Sequence, residues 1–444
     1  MAFNRFFGRG AKEAPPTAAP EPESDSQIVE SSDDDESEVV SEEQEDVDWR
    51  TRALGVLPTG ASTGSKRAEA LYGSADAAGP THFLQAVGCR VTDVDGNEYL
   101  DCTMALGAVA LGYAETNVTR AVVDAIARGN VSGLSSVREV EIAERLCGVI
   151  PCADKVQFLK TGAEAMAAAV RIARTYTSRD LVIACGYFGW LDWAADTTAG
   201  VPEETRGLTR RVPYDDVAAL RSAVTDAGLR LAAIVLEPVI ERLPSKEWIV
   251  AARELATSVG AVLIFDEIKT GFRLRTGGYQ AFAEIVPDLS AFGKAMANGF
   301  PLSVVCGHRD VMDAARKTWI SSTLASEGGA LAAAGAVLTW HDQADVCESL
   351  ATIGAEMRSA ITHAVEAAGV SGLTIEGLDQ MWMLRWDSPA REQRFLELAA
   401  ANGVLFKRGA YNFSALAHDD DAIRDLEAGA SGALVELRDE EEQQ

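Results

Sequence analysis

Short apolar runs bounded by turn residues recur through the middle of the chain. "LVIACG" (181–186), "LAAIVLEPV" (231–239), "AVLIFDEI" (261–268) and "PLSVVCG" (301–307) lack the polar alternation of a half-exposed strand. They read as strands buried on both faces. "KVQFLK" (155–160) is a further short strand, running into the Ala-rich helix "TGAEAMAAAVRIARTYT". "ETNVTRAVVDAIARG" (115–129) predicts a helix with Asn117 as N-cap, Val118, Val122 and Ile126 on one face, and Gly129 as the stop. "CRVTDVDGNEYLDC" (89–102) alternates around an Asp-Gly-Asn turn and reads as a hairpin. Strands alternating with helices predict an α/β fold with a mostly parallel central sheet and helices on both faces. From Ala330 a long helical stretch runs to about Gly369. "LTIEGLDQMWMLRW", "PAREQRFLELAAANG" and the segment ending near Leu437 then predict a smaller α+β domain. The expected organisation is an arm (1–48), a segment contributing to the small domain (49–115), a large domain (116–330), the small domain (331–437) and an acidic tail (438–444).

Composition narrows the class. With 444 residues, 47% hydrophobic and 24% charged, the chain can bury a large core. No run reaches the roughly 20 apolar residues of a membrane-spanning helix, and no secretory signal is visible, so a cytoplasmic location is expected. The seven cysteines show no C-x-x-C spacing and the five histidines no ligand-like pair, which argues against a disulfide framework or a metal site. Net charge is −27, and residues 21–48 hold fourteen of the carboxylates with no Lys or Arg. Such a segment is expected to be disordered. It is either a solvated acidic tail or a tether for "MAFNRFFGRGAK", which would then dock on a protein partner. With no basic stripe, nucleic-acid binding is disfavoured.

Four features of the predicted sheet domain can converge on one ligand. "LKTGAEA" (159–165) places Gly162 and Ala163 at a strand-to-helix turn, where free N–H groups suit a phosphate. Asp266 ends a buried strand, where a carboxylate needs a cation or donors. Tyr187 follows a strand end and offers an aromatic face. Lys294 stands directly after a glycine in "LSAFGKAMANGF", a place where burial would lower its pKa and keep it nucleophilic. Each alone has a plainer explanation: a turn that binds nothing, a paired acid, a core ring, a lysine with its charge in water. Together they describe a pyridoxal 5'-phosphate site.

The ordered motifs "VTDVDGNEYLD", "TGAEA", "GYFGWLDW", "VLEPV", "LIFDEIKTGFR", "PDLSAFGKAMANGFP" and "STLASEGGALAAA" resemble the class III aminotransferases of fold type I, and among them glutamate-1-semialdehyde 2,1-aminomutase. The resemblance runs from about Leu57 to Leu437. It implies that Lys294 carries the cofactor as a Schiff base and Asp266 pairs with its ring nitrogen. It further implies that Tyr187 and Ile268 pack on the two ring faces, Thr161, Gly162 and Ala163 hold the phosphate, and Glu237 supports the ring. Thr323 would reach the phosphate of a neighbouring subunit, which implies a homodimer with shared active sites.

Three departures qualify that picture. Ala163 stands where the family often has Ser or Thr, and Phe188, beside the ring, replaces a frequent His. In "PTGASTGSKR" (58–67) Lys66 takes the place of a substrate-binding Arg, with Arg67 next to it. Lys lacks the planar fork that grips a carboxylate. This favours an aminotransferase acting on a small-molecule amino donor and a ketone or aldehyde acceptor, with a hint of polyhydroxylated or sugar-like acceptors. An intramolecular 2,1-aminomutase and a catalytically weak scaffold protein are the alternatives.

Overall fold

Three β-sheets carry the architecture of the computed structural model, which describes residues 48–443. The expectations for the acidic arm and its basic, aromatic start fall on residues outside that range. Asp48 is the first described residue, and its carboxylate caps the helix Trp49–Val56 through the Arg50 N–H at 2.7 Å.

Strands β1 (Phe83–Val87), β2 (Arg90–Asp93) and β3 (Glu98–Asp101) form an antiparallel meander, and the β2–β3 pair is the expected hairpin, with Arg90 opposite Leu100. The central sheet holds β4 (Lys155–Leu159), β5 (Leu181–Cys185), β6 (Thr209–Arg211), β7 (Leu231–Leu236), β8 (Val262–Asp266), β9 (Leu289–Phe292) and β10 (Ser303–Gly307). Its order is β4-β10-β9-β8-β7-β5-β6. From β9 to β6 all neighbours are parallel, whereas β10 runs antiparallel to both β9 and β4. Every residue of β7, β8, β9 and β10 is buried, which is why these runs are apolar without alternation. The helix Gly162–Thr177 covers one face with alanines, whose small side chains let it lie close to the strands. The helix Lys246–Val259 buries Trp248 and Ile249 in the other core.

The last sheet contains β11 (Leu373–Leu378), β12 (Met381–Trp386) and the short β14 (Asn412–Phe413), while β13 (Val404–Leu405) pairs in parallel with β3. The N-terminal meander is thereby joined to the C-terminal segment.

Several sequence expectations need correction. The N-cap near residue 117 is Glu115, not Asn117, because its carboxylate reaches the Val118 N–H at 2.7 Å and the helix Thr116–Ile126 starts earlier. Ile126 is exposed, and Ala125 takes the inward position beside Val118 and Val122. The helical stretch after Ala330 is two helices, Gly328–Gln343 and Val346–Ala368, divided where Asp345 caps the second through the Glu348 N–H. The acidic C-terminus continues the helix Asp420–Glu442, with Glu440 paired to Arg394 and Glu441 to Arg391.

Candidate active site

A cavity of about 420 Å3 opens where β5, β7, β8 and β9 end. Carboxyl ends of parallel strands are where ligands bind in open α/β sheets, because the loops there diverge and leave a crevice. Each strand delivers one group. Tyr187 follows β5, Glu237 follows β7, Asp266 closes β8, and Lys294 follows β9 after Gly293. Lys294 has φ 48°, a left-handed conformation that a side-chain-bearing residue adopts only under tertiary constraint.

The charges in this cavity are unequal. Asp266 is 5% exposed, and one of its oxygens accepts the Ile268 N–H at 3.0 Å. Burial and the neighbouring Glu237 carboxylate push its pKa up to about 8, against the opposing pull of Lys294 and Lys269. The Lys294 ammonium is pushed below its ordinary value by burial and then by the Lys269 charge. Lys269 behaves otherwise. Burial disfavours its charge, but Glu237, with Oε1 2.6 Å from Nζ, and Tyr411, whose hydroxyl accepts at 2.9 Å, together hold it above the usual lysine value. Two lysines of opposite tendency thus share one cavity.

At the other end, Thr161 caps the helix Gly162–Thr177 in a capping box. Its hydroxyl accepts the Glu164 N–H, and the Glu164 carboxylate accepts the Thr161 N–H at 2.8 Å. The cap leaves the Gly162 and Ala163 N–H groups without intrahelical partners. Ser303, in register with Leu159 across β10 and β4, donates to the Thr161 carbonyl at 2.7 Å and fixes the turn. A Cβ on Gly162 would stand 2.6 Å from Ile268 Cδ1, so glycine is what lets the helix start approach the cavity floor.

The cavity therefore brings together Thr161, Gly162, Ala163, Tyr187, Glu237, Asp266, Ile268 and Lys294. Phe188 borders it too, but its ring is buried and stacks on Trp193 at 5.6 Å, so it supports the loop more than it faces a ligand. Three expected residues are not brought here within one chain. Lys66 and Arg67 line separate clefts beside the N-terminal helix, because the turn Gly64–Lys66 packs beside Trp49–Val56 and β1. Thr323 lies exposed in the segment before the helix Gly328–Gln343. Conversely, Lys160, Lys269 and Trp190 line the cavity without having been singled out in the sequence. Lys160 is paired with Glu327 at 2.8 Å. The one available signal was Lys269 following Asp266 in "FDEIKTG", a cation in an otherwise buried run.

The residues present fit a phosphorylated, positively polarised ring. The N–H groups of the helix start at Gly162 and Ala163, a buried carboxylate without an ion-pair partner at Asp266, and an amine whose pKa burial lowers at Lys294 line one cavity.

Comparison with known proteins agrees with this geometry. Residues 74–416 match the family described as aminotransferase class-III. A 3-aminobutyryl-CoA aminotransferase of Cloacimonas acidaminovorans is 32% identical over 66% of this chain and 72% of its own length. A glutamate-1-semialdehyde 2,1-aminomutase of Pyrobaculum islandicum is 31% identical over 87% of this chain and 98% of its own. Among solved structures, the FumI protein of Sphingopyxis sp. MTA144, in its PLP internal aldimine form, superposes with a TM-score of 0.84 at 27% identity, covering 88% of this chain and 96% of that one. With a matching family over most of its length and a relative this similar across nearly all of its fold, the chain belongs to the class-III aminotransferase family.

Proposed function

We propose that this aminotransferase uses pyridoxal 5'-phosphate to move an amino group from an amino donor to a ketone or aldehyde acceptor, with neutral, polyhydroxylated carbonyl compounds as the acceptor class. The convergence of Lys294, Asp266 and the open N–H groups of Gly162 and Ala163 on one cavity carries this reading. When bound, the cofactor supplies an aldehyde that takes up the amino group and a ring that delocalises the electrons left when a neighbouring C–H bond breaks. The chain's own residues do the rest. Gly162 and Ala163 N–H groups bind the phosphate, and Tyr187 and Ile268 confine the ring between them. Asp266 holds a proton on the ring nitrogen by its negative charge. Lys294, its pKa lowered by burial, is the amine that first holds the cofactor and then takes and returns the proton at Nζ.

Charge pairing supports the neutral acceptor. Of the lysines lining the cavity, Lys160 is paired with Glu327 and Lys269 with Glu237, and no arginine is among its lining residues. One chain's lining offers a substrate carboxylate no bidentate partner, whereas hydroxyl groups can meet Glu237 and the Lys269 ammonium. The likeness to the Pyrobaculum aminomutase favours a second reading, in which one molecule is both donor and acceptor. A homodimer is part of the proposal: Trp319 and Leu324, flanking Thr323, are exposed, as are Leu134 and Val137, and a second copy would cover them.

The test begins with the visible absorption of the purified protein beside a Lys294→Ala variant, before and after borohydride. A yellow band that borohydride bleaches, changed in the variant, is the expected outcome; a protein that stays colourless with added cofactor would sink the proposal. Turnover then separates the readings. A transaminase releases a carbonyl product from its donor and needs an acceptor, while a mutase converts a single substrate alone.

A further inference from the structure

A phosphate monoester carries about −1.5 to −2 charge near neutral pH, and the turn at Gly162 and Ala163 supplies only part of the balance. Its N–H groups stand at the start of a helix whose dipole amounts to about half a positive charge. Ala163 has no hydroxyl to add. No arginine lines the cavity, so its cations are the ammonium groups of Lys160, Lys269 and Lys294. Lys294 is spent in holding the cofactor's aldehyde. Lys269 is engaged with Glu237 and Tyr411. Lys160 is the cation that remains.

Its place in the fold suits that need. Lys160 follows the last residue of β4 and directly precedes Thr161, the cap of the phosphate-binding turn. Its side chain is 16% exposed, and Nζ donates to Glu327 Oε1 at 2.8 Å, its one side-chain hydrogen bond among the described residues. An ammonium has three N–H donors, so two are uncommitted. Glu327, for its part, does not depend on Lys160. It caps the helix Gly328–Gln343, where Oε2 accepts the Gly329 N–H at 2.8 Å and Oε1 the Ala330 N–H at 3.0 Å. A carboxylate there is stabilised by those N–H groups and by the helix dipole. The pair thus anchors the ammonium at the cavity wall while leaving it donors for a second anion.

We propose that Lys160 is a cofactor-binding residue, the counter-charge of the phosphate group of pyridoxal 5'-phosphate, held ready by Glu327 and making up for the hydroxyl that Ala163 lacks. The proposal rests on reading this cavity as the cofactor site. A lysine serves here as a point charge, which suits a phosphate whose directional bonds come from backbone N–H groups.

The test compares two probes that differ only in the phosphate, pyridoxal 5'-phosphate and pyridoxal. Each is titrated into the full-length protein freed of cofactor, at fixed pH and ionic strength, and binding is followed by the visible absorption of the adduct with Lys294. In Lys160→Gln the affinity for pyridoxal 5'-phosphate should fall about tenfold, the loss of a charge-assisted hydrogen bond, while that for pyridoxal stays as in wild type. If Lys160 served only to steady Glu327 and the turn, the two probes would lose affinity together. Glu327→Gln still accepts N–H groups at the helix start but no longer competes for the ammonium. It should bind pyridoxal 5'-phosphate more tightly relative to pyridoxal than wild type does. A ratio of the two affinities unchanged in Lys160→Gln, or in Glu327→Gln should the first variant not fold, overturns the role of Lys160 alone. A wild type that stays colourless with both probes overturns the cofactor reading, and this proposal with it.

Discussion

Nζ of Lys269 lies 2.6 Å from Oε1 of Glu237, and this pair joins the loops that follow β8 and β7 across the floor of the active-site cavity. The side chains are 8% and 14% exposed. The other Glu237 oxygen accepts the Tyr187 N–H at 3.1 Å, so one carboxylate fixes both a cation and the aromatic residue of the site. Lysine at 269 also repels the Lys294 ammonium and adds to the lowering of its pKa by burial.

Lys269→Met removes that repulsion and strands Glu237. The Lys294 pKa is then expected to rise. Its labelling by acetic anhydride in the cofactor-free protein, followed by mass spectrometry across pH, should reach half-maximum at a higher pH than in wild type. Stability should fall by about 3 kcal/mol, the lower range for breaking a buried pair. An unchanged labelling midpoint would show that Lys269 only packs.

Arg211 braces the loop bearing Tyr187. Its guanidinium donates to the carbonyls of Gly186 and Ala194, both at 2.6 Å, and to Asp196 at 3.0 Å, and it lies over the Phe188 ring. Arg211→Ala is expected to keep the fold, because this residue lies on the edge strand β6. Cofactor retention, measured by equilibrium dialysis, should weaken about tenfold through loss of a pre-set loop. Retention equal to wild type would assign the brace a purely local role.

The buried strands and the strand-end positions of Lys294 and Asp266 were legible because fully buried parallel strands need continuous apolar runs, and an ionisable residue breaking such a run stands out. Lys269 was not legible. Its partner Glu237 is near only because β7 and β8 are neighbours in the sheet, a relation the local sequence does not encode. The helix boundary at Asp345 escaped for a different reason. No glycine or proline marks it, and the break depends on an aspartate choosing a backbone N–H over solvent. At Glu115 and Asn117, two acceptors within one turn compete, and the longer carboxylate reaches the Val118 N–H. Lys66, Arg67 and Thr323 were placed by resemblance, and a single chain leaves them apart from the cavity.

Gly186 approaches Glu237 so closely that a Cβ would stand 2.4 Å from the Glu237 Cβ, and its φ of 128° lies outside the range of ordinary side-chain-bearing residues. Gly186→Ala therefore combines backbone strain with overpacking, worth about 2–4 kcal/mol. Gly129→Ala is the control. Gly129 also has positive φ, at 101°, but a Cβ there meets nothing within 4 Å. Urea unfolding should rank Gly186→Ala well below Gly129→Ala, and similar midpoints for the two would mean that Glu237 gives way without cost.

Asp266 makes stability depend on pH in a direction opposite to that of an ordinary paired carboxylate. In the folded, cofactor-free protein its pKa rises from 3.8 to about 8, mainly through burial and then through Glu237. Between those values the unfolded chain has released the proton and the folded chain still holds it. The unfolded state then binds fewer protons, and stability must fall as pH rises through that window. Below the window both states are protonated and the contribution is complete. Asp266→Asn removes the titration while keeping the shape. Lys294, whose pKa is lowered, contributes with the opposite slope; because the Asp266 charge holds that pKa up, Asp266→Asn lowers it further, which adds to the decline in the difference instead of opposing it. The melting temperature of wild type relative to Asp266→Asn should therefore decline from about pH 4 to about pH 8 and level off above. A cation opposite Asp266, such as a protonated ring nitrogen, favours the charged carboxylate and draws the upper edge of the window downward. The decline should thus be shallower in the cofactor-loaded protein, and an equal decline with and without cofactor would separate Asp266 from the ring.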